Sequence, residues 1–344
     1  MNEPLSTVEG GNSVERAVYA AFIAKNGRLR AIWRFLLAII VVLLANIAAG
    51  VLASPAGRGR LFDLIFRTLA LFFMLVGFSM LLKLADGVAG NPLPAMGLSL
   101  RKPWIRDAAW GALLGFFLIL IAYIVIRLTC DLTVKITLSG RTGMLVIEEL
   151  VILASAAMLE EAAFRGYPFQ RLVEMFEGAA SFVTGRRLGA ETAEHSSQAF
   201  AAGAAAIVWS LAFGAAHLWN PSATIWSFLN TTLVGVLLCI AYLRTRSLWM
   251  PWGIHFAWNT CLGLLFGLPV SGVMQFAVMV RSKIKGPGWI TGGDYGIEGS
   301  ALGTAVIIVG MVLVLVFVKQ RQYAAVPADP TATLDGTRSD GIQS

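Results

Sequence analysis

Charge is scarce in this sequence. Only 14% of its 344 residues are Asp, Glu, Lys or Arg, against 57% hydrophobic residues, whereas a soluble domain has about 25% charged and 45–50% apolar residues. So few charges cannot cover a water-soluble surface, and apolar content this high excludes a disordered chain as well. Cysteine is scarce too: Cys130, Cys239 and Cys261 are the three, with no CxxC pair, which excludes a secreted disulfide framework. Two of them fall inside apolar runs, where a small buried hydrophobe is the expected role. There is no HExxH, and there are only three histidines. The net charge of +7 does not point to nucleic acid, because Lys and Arg form no dense patch. They flank apolar segments, the pattern of loops held on the cytoplasmic side of a membrane.

What is present is a series of long apolar runs. A spanning helix needs about 20 mainly apolar residues, and eight segments meet that: 32–53, 62–83, 108–129, 144–166, 200–219, 222–243, 247–267 and 301–319. The expected fold is therefore all-α, a polytopic membrane helix bundle of about eight transmembrane helices. Glu3, Glu9, Glu15, Arg16 and Lys25 precede the first run, so no signal-peptide h-region follows the initiator and the first span reads as an anchor that stays attached. Residues 1–31 form a cytoplasmic N-terminal segment and 32–319 the bundle; 320–344, rich in Pro, Thr, Asp and Gly, form a disordered cytoplasmic tail. Lys and Arg fall twice as often on the side that holds both termini, which places the termini in the cytoplasm and the protein in the inner membrane as a multi-pass protein. The Gly-rich stretch 268–300 reads as a structured loop, with a short interfacial helix expected over Val270–Val280.

Ionisable groups inside apolar helices carry the functional signal. Each costs roughly 2.5–3.5 kcal/mol at a helix centre on insertion scales, so such groups face the bundle interior and mark sites. Glu160 and Glu161 are adjacent in the fourth span and point about 100° apart on a helix. Arg165 follows Glu161 by four residues, the favoured order for a pair on one helical face. Glu161 is therefore expected to be ionised and structural, which leaves Glu160 as a candidate general base. Phe213 and His217 share one face of the fifth span, and His255 and Asn259 one face of the seventh. Three helices thus offer a carboxylate pair, an imidazole, and an imidazole with a carboxamide to a common interior. Such a set makes a water-activating hydrolytic site with an oxyanion pocket.

Other polar residues read as structural. Glu148 and Glu149 sit in an early turn of the fourth span, where acids complement the helix dipole. Asp63 and Arg67 form an i, i+4 pair near the start of the second span. Trp219, Trp226, Trp249, Trp252 and Trp258 near span ends resemble an aromatic belt. His195 falls in a polar connector, and the glycosylation-like Asn230-Thr-Thr lies within a span and carries no signal. One spatial tension stands out. With eight straight spans, Glu160 and His217 differ in depth by about 15 Å. The fifth span is then expected either to start deeper or to form a shallow hairpin with the sixth around Asn220-Pro221.

EEAAFR (Glu160, Glu161, Arg165), FGAAH (Phe213, His217) and HFAWN (His255, Asn259), in this order, resemble the EExxxR, FxxxH and HxxxN motifs of the CPBP family of intramembrane proteases. That family includes the type II CaaX prenyl proteases and bacterial Abi-like members, and the shared core covers about residues 97–267. The resemblance implies an intramembrane glutamic endopeptidase. Glu160, helped by His217, would activate water; His255 and Asn259 would stabilise the oxyanion; Glu161, Arg165 and Phe213 would hold the site together. No cofactor is expected, with a zinc-dependent version (Glu160, His217 and His255 as ligands) as an alternative. The expected partners are a membrane-associated protein or peptide substrate and the lipid bilayer, and not nucleic acid. Readings from other classes are a non-catalytic scaffold or immunity-type protein, and a transporter with a proton relay.

Overall fold

In this computed structural model, which describes residues 13–24, 27–184 and 190–321, each long apolar run becomes a helix, because only a helix satisfies its own backbone within lipid. The expected tail at 320–344 lies outside the described residues from 322 onward, as does the start of the N-terminal segment. An amphipathic helix α1 (Ser13–Phe22) precedes α2 (Ala31–Ala53), α3 (Arg60–Leu84) and α4 (Trp104–Thr129). Then come α5 (Thr142–Arg165), α6 (Tyr167–Thr184), α7 (Ala190–Ala216) and α8 (Ile225–Thr245). The chain continues with α9 (Trp249–Thr260), a π-turn (Cys261–Leu265), the single turn α10 (Gly288–Thr291) and α11 (Ala301–Phe317). Among the described residues six helices are long and apolar enough to cross a membrane. The α9–π-turn segment and α11 are shorter, so the bundle is polytopic while two of the eight expected spans fall below full length.

Three features place the site. First, α5 stops at Arg165. A Cβ on Gly166 would lie 2.3 Å from the Ala162 carbonyl, and Pro168 supplies no N–H to extend the ladder. The chain restarts as the amphipathic α6, and α7 packs along it. With 27 residues against 18 in α6, α7 is about 13 Å longer and carries His217 back past the α5–α6 break. The fifth span thus starts deeper, the first of the two expected solutions, and His195 belongs to its helical first turns rather than to a connector.

Second, α4 and α9 lie nearly backbone to backbone. A Cβ on Gly111 would sit 2.2 Å from the Met250 carbonyl, one on Gly115 2.4 Å from that of Ile254, and one on Gly253 2.3 Å from that of Ala108. Small residues spaced four apart allow this approach.

Third, Val270–Val280 is not a helix. Ser271 and Gly272 take positive φ (47° and 82°), closing a tight Val270–Val273 bridge that ends any helical run. The segment instead folds inward, with Val270, Val273 and Phe276 packed on the core. It leads into β2 (Val280–Lys285), which pairs antiparallel with β1 (Asp131–Ile136), Ile136 opposite Val280. This two-stranded ladder is an addition to the helical fold.

A buried ionic network fastens the N-terminal hairpin. Arg34 of α2 meets Asp86 and Glu174, and the Tyr167 hydroxyl donates to Asp86 at 2.6 Å. At the other end, the guanidinium of Arg321 donates to both Asp107 oxygens. Those bonds hold the arginine more firmly protonated than usual, outweighing its partial burial.

Several local expectations change. Glu149 is buried and ion-paired to Arg60 of α3 at 3.0 Å, not interfacial, because its partner comes from another helix. Asp63 accepts a hydrogen bond from Gln275 at 3.1 Å and forms no ion pair with Arg67. Asn230-Thr-Thr lies within a span as expected; the buried Asn230 donates to the carbonyls of Glu298 (2.9 Å) and Ser300 (2.8 Å), which ties α8 to the start of α11. Trp219 and Trp226 are exposed as a belt would require, whereas Trp258 is buried. Cys239 and Cys261 are buried free thiols.

Candidate active site

Glu160 points from the last turns of α5 into a cavity of about 360 Å³ that Phe213, His217, His255 and Asn259 also line. Its Oε2 lies 3.8 Å from His217 Nε2 and 3.7 Å from His255 Nε2. These separations exceed a direct hydrogen bond, and Glu160 Oε2 has no hydrogen-bond partner.

The two imidazoles are held by their other nitrogens. His217 follows the end of α7, where the last carbonyls lack helical partners, and its Nδ1 lies 2.8 Å from the Phe213 carbonyl. A carbonyl only accepts, so Nδ1 carries a proton, which leaves Nε2 as the ring nitrogen that faces Glu160. His255 Nδ1 lies 2.8 Å from Glu161 Oε1, and with an ionised Glu161 the same logic fixes its tautomer. A carboxylate oxygen and two imidazole nitrogens therefore converge on one small volume.

Behind them stands a buried support. Glu161 is fully buried and receives Arg165 Nη1 at 3.3 Å. Arg165 Nη2 donates to the Gly235 carbonyl at 3.0 Å, and its guanidinium lies over the Phe213 ring at 4.5 Å. The Phe213 ring also contacts His217 (centroids 4.7 Å) and meets His255 edge-on. Every residue singled out in the three motifs is thus brought together. Glu160, Phe213, His217, His255 and Asn259 form the cavity wall, with Glu161 and Arg165 directly behind it.

The cavity has further members that the motifs do not contain: Arg67 of α3, Asn220 in the turn after His217, Ser271 from the loop before β2 and Glu298 from the loop after it. Glu298 accepts from the Trp258 indole at 3.0 Å and from the Ser271 amide and hydroxyl. Burial pushes its carboxyl up, against those donors. Its only trace in the sequence is an acid within a Gly-rich loop, which says nothing of a wall 140 residues away. As for metal, Glu160, His217 and His255 are the residues that would hold one, yet no His, Cys, Asp and Glu group of three among the described residues has metal-holding spacing.

The polytopic helix bundle thus gathers a carboxylate and two oriented imidazoles around one cavity. The family model described as type II CAAX prenyl endopeptidase Rce1-like matches residues 142–261. That stretch, roughly a third of the chain, runs from the start of α5 to the first residue beyond α9 and contains all three motifs, in agreement with the CPBP resemblance. No curated protein and no solved structure matches.

Proposed function

We propose that the chain is an intramembrane endopeptidase that hydrolyses peptide bonds of membrane-associated substrates with a water activated by Glu160. The observation that carries this reading is Glu160 Oε2 facing both His217 Nε2 and His255 Nε2 at 3.7–3.8 Å inside a cavity. Groups that far apart accommodate one water hydrogen-bonded to all of them at about 2.8 Å. Across a tetrahedral zinc with bonds of about 2.0–2.1 Å the same edges would be about 3.3 Å, and across a tetrahedral water with bonds of about 2.8 Å about 4.6 Å; the separations fall between the two, and no step is derived through a metal.

A water has two protons to give and meets three acceptors, so a complete set needs one further proton. His255 is the suitable carrier, because the Glu161 carboxylate on its Nδ1 balances the charge. With Nε2 protonated, His255 becomes a donor, and with the Asn259 amide it forms the oxyanion pocket. In the reaction, Glu160 accepts a proton from water while the water oxygen bonds to the scissile carbonyl carbon. The carbonyl oxygen takes up the charge between His255 and Asn259, and His217 holds the water's second proton. Glu160 then returns its proton to the departing amine as the C–N bond breaks, giving a carboxylic acid and an amine.

The test is purified protein with quenched fluorescent peptides, wild type beside Glu160→Gln, each with and without chelator. Cleavage by the wild type alone, insensitive to chelator, supports the glutamic mechanism. Loss on chelation and recovery with zinc transfers the same residues to a metallopeptidase, and equal cleavage by both proteins removes Glu160 from the chemistry. We also place both termini in the cytoplasm and the bundle in the inner membrane; reporter fusions at either terminus test that orientation.

A further inference from the structure

Glu298 differs from the other buried carboxylates of the bundle. It lines the cavity from beyond the segment that matches the protease family, in a single turn (Ile297–Gly299) just before α11. Both of its oxygens accept hydrogen bonds: one from the Trp258 indole at 3.0 Å, the other from the Ser271 amide and, at 3.1 Å, the Ser271 hydroxyl. Three donors on two oxygens suit an ionised carboxylate, since a carboxylic acid would have to turn its own proton toward one of them. Glu149, Glu160 and Glu161 each lie beside a cation or an imidazole, whereas among the described residues Glu298 is held by neutral donors alone. A buried charge held that way is costly to the fold.

What it holds are two elements that present reacting groups. On one side, its bond to the Trp258 indole fixes α9 one residue before Asn259, and both residues line the cavity. On the other, Ser271 takes a φ of 47°, which a residue with a Cβ rarely adopts, and the carboxylate bonds to its amide and its hydroxyl at once. Gly272 follows at φ 82° and donates to the Tyr295 carbonyl at 3.0 Å. It lies so close to the turn after α7 that a Cβ would sit 2.1 Å from the Pro221 carbonyl. That turn carries His217, whose carbonyl accepts from the Asn220 amide at 3.1 Å. One carboxylate therefore reaches His217 through Ser271, Gly272 and Pro221, and Asn259 through Trp258. A neutral amide cannot replace it: its single oxygen serves either Trp258 or Ser271, and its NH2 then meets a donor at the other.

We propose that Glu298 is a positioning residue of the site: its carboxylate sets the His217 turn and the Asn259 helix against each other across the cavity. The inference rests on the peptidase reading and adds to it a group outside the three motifs. Its test is a mutant cycle on monodisperse protein with quenched peptides: Glu298→Gln, Asn259→Ala, and both together. Glu298→Gln should lower kcat at least tenfold and leave KM within twofold of wild type, because the apolar cavity walls stay while the reacting groups shift. In Asn259→Ala, where one of the two groups it sets is gone, the same substitution should cost less than fivefold. Trp258→Phe is the second variant. Alone it leaves Glu298 Oε1 without a donor and should lower kcat at least threefold. Added to Glu298→Gln it removes the donor that the amide opposes, so the pair should turn over at least as fast as Glu298→Gln alone. If Glu298→Gln does not fold, Trp258→Phe takes its place in the cycle with Asn259→Ala.

Losses that multiply in the cycle, or a kcat in Glu298→Gln within twofold of wild type, make Glu298 a staple of the fold only and overturn the proposal. Carbethoxylation of the histidines by diethyl pyrocarbonate, read peptide by peptide by mass spectrometry, separates the proposal from the peptidase reading. Between wild type and Glu298→Gln the ratio of His217 to His255 labelling should change at least threefold. That change without any wild-type cleavage keeps Glu298 as the residue that places His217 and rejects the hydrolysis. An unchanged ratio overturns the proposal whether or not the protein cleaves.

Discussion

Replacing Glu161 by Gln separates the support of the site from its chemistry. The Glu161 side chain is fully buried and that of Arg165 nearly so, so removing the charge leaves a guanidinium inside the bundle with the Gly235 carbonyl, Cys239 and the Phe213 and Phe164 ring faces but without its paired carboxylate. Breaking a buried pair on one side costs about 3–5 kcal/mol, and the surviving contacts put the value near the lower end, about 3 kcal/mol. A glutamine also cannot serve both neighbours. If its oxygen keeps His255 Nδ1–H, its amide faces Arg165, donor against donor. If it turns over, its amide faces His255 Nδ1, which must give up its proton. At about 2 °C per kcal/mol for a chain of this size, melting should fall by about 6 °C. Glu160→Gln should melt within about 1 °C of wild type, since Glu160 Oε2 has no hydrogen-bond partner to lose. Thermal unfolding in one detergent, followed by a thiol-reactive dye that reports exposure of buried Cys239 and Cys261, measures both variants. Equal melting of Glu161→Gln and wild type, or an equal loss in Glu160→Gln, refutes the division between a supporting and a reacting carboxylate.

The α4–α9 seam makes Gly115→Ala a second probe: its methyl would meet the Ile254 carbonyl, next to His255. It should reduce stability by about 1–3 kcal/mol and reduce kcat at least tenfold, read by melting and by peptide turnover. Asn230→Ala strands the Glu298 carbonyl and removes the bonds to the Ser300 carbonyl and from the Thr304 hydroxyl, which keep only each other and the Thr304 amide. It should cost about 2 kcal/mol, and a melting temperature unchanged within error would show that α11 is anchored elsewhere. Chelator treatment should leave both melting and turnover of the wild type unaltered.

The spans and the three motif pairs were legible in the sequence because both are local. A 20-residue apolar run reports its own environment, and residues four apart on a helix share a face whatever surrounds them. The same locality explains the misreadings. Asp63 and Arg67 satisfy the spacing of an ion pair, but Asp63 has a better partner in Gln275, 212 positions away. Glu149 resembled an interfacial acid because Arg60 lies on another helix. The apolar pattern of Val270–Val280 is equally that of a helix and of a segment folded onto the core, and only the backbone at Ser271 and Gly272 distinguishes them. The depth of His217 followed from the length of α7, whose polar first turns carry no apolar signal. Glu298 and Arg67 reach the cavity through tertiary contacts alone.

The β1–β2 ladder has a consequence for biosynthesis. Ile136 and Val280 are partners in register but are separated by about 140 residues of chain, which at about 5–20 residues per second take on the order of 10–30 seconds to make. Glu160, His217 and His255 are all synthesised in that interval, while β1 waits unpaired. The loop that Gln275 pins to α3 follows them, and the Glu298 that holds Ser271 comes only after β2. The reacting groups therefore exist before their covering does, and the loops that close over the cavity leave the ribosome after all three of them.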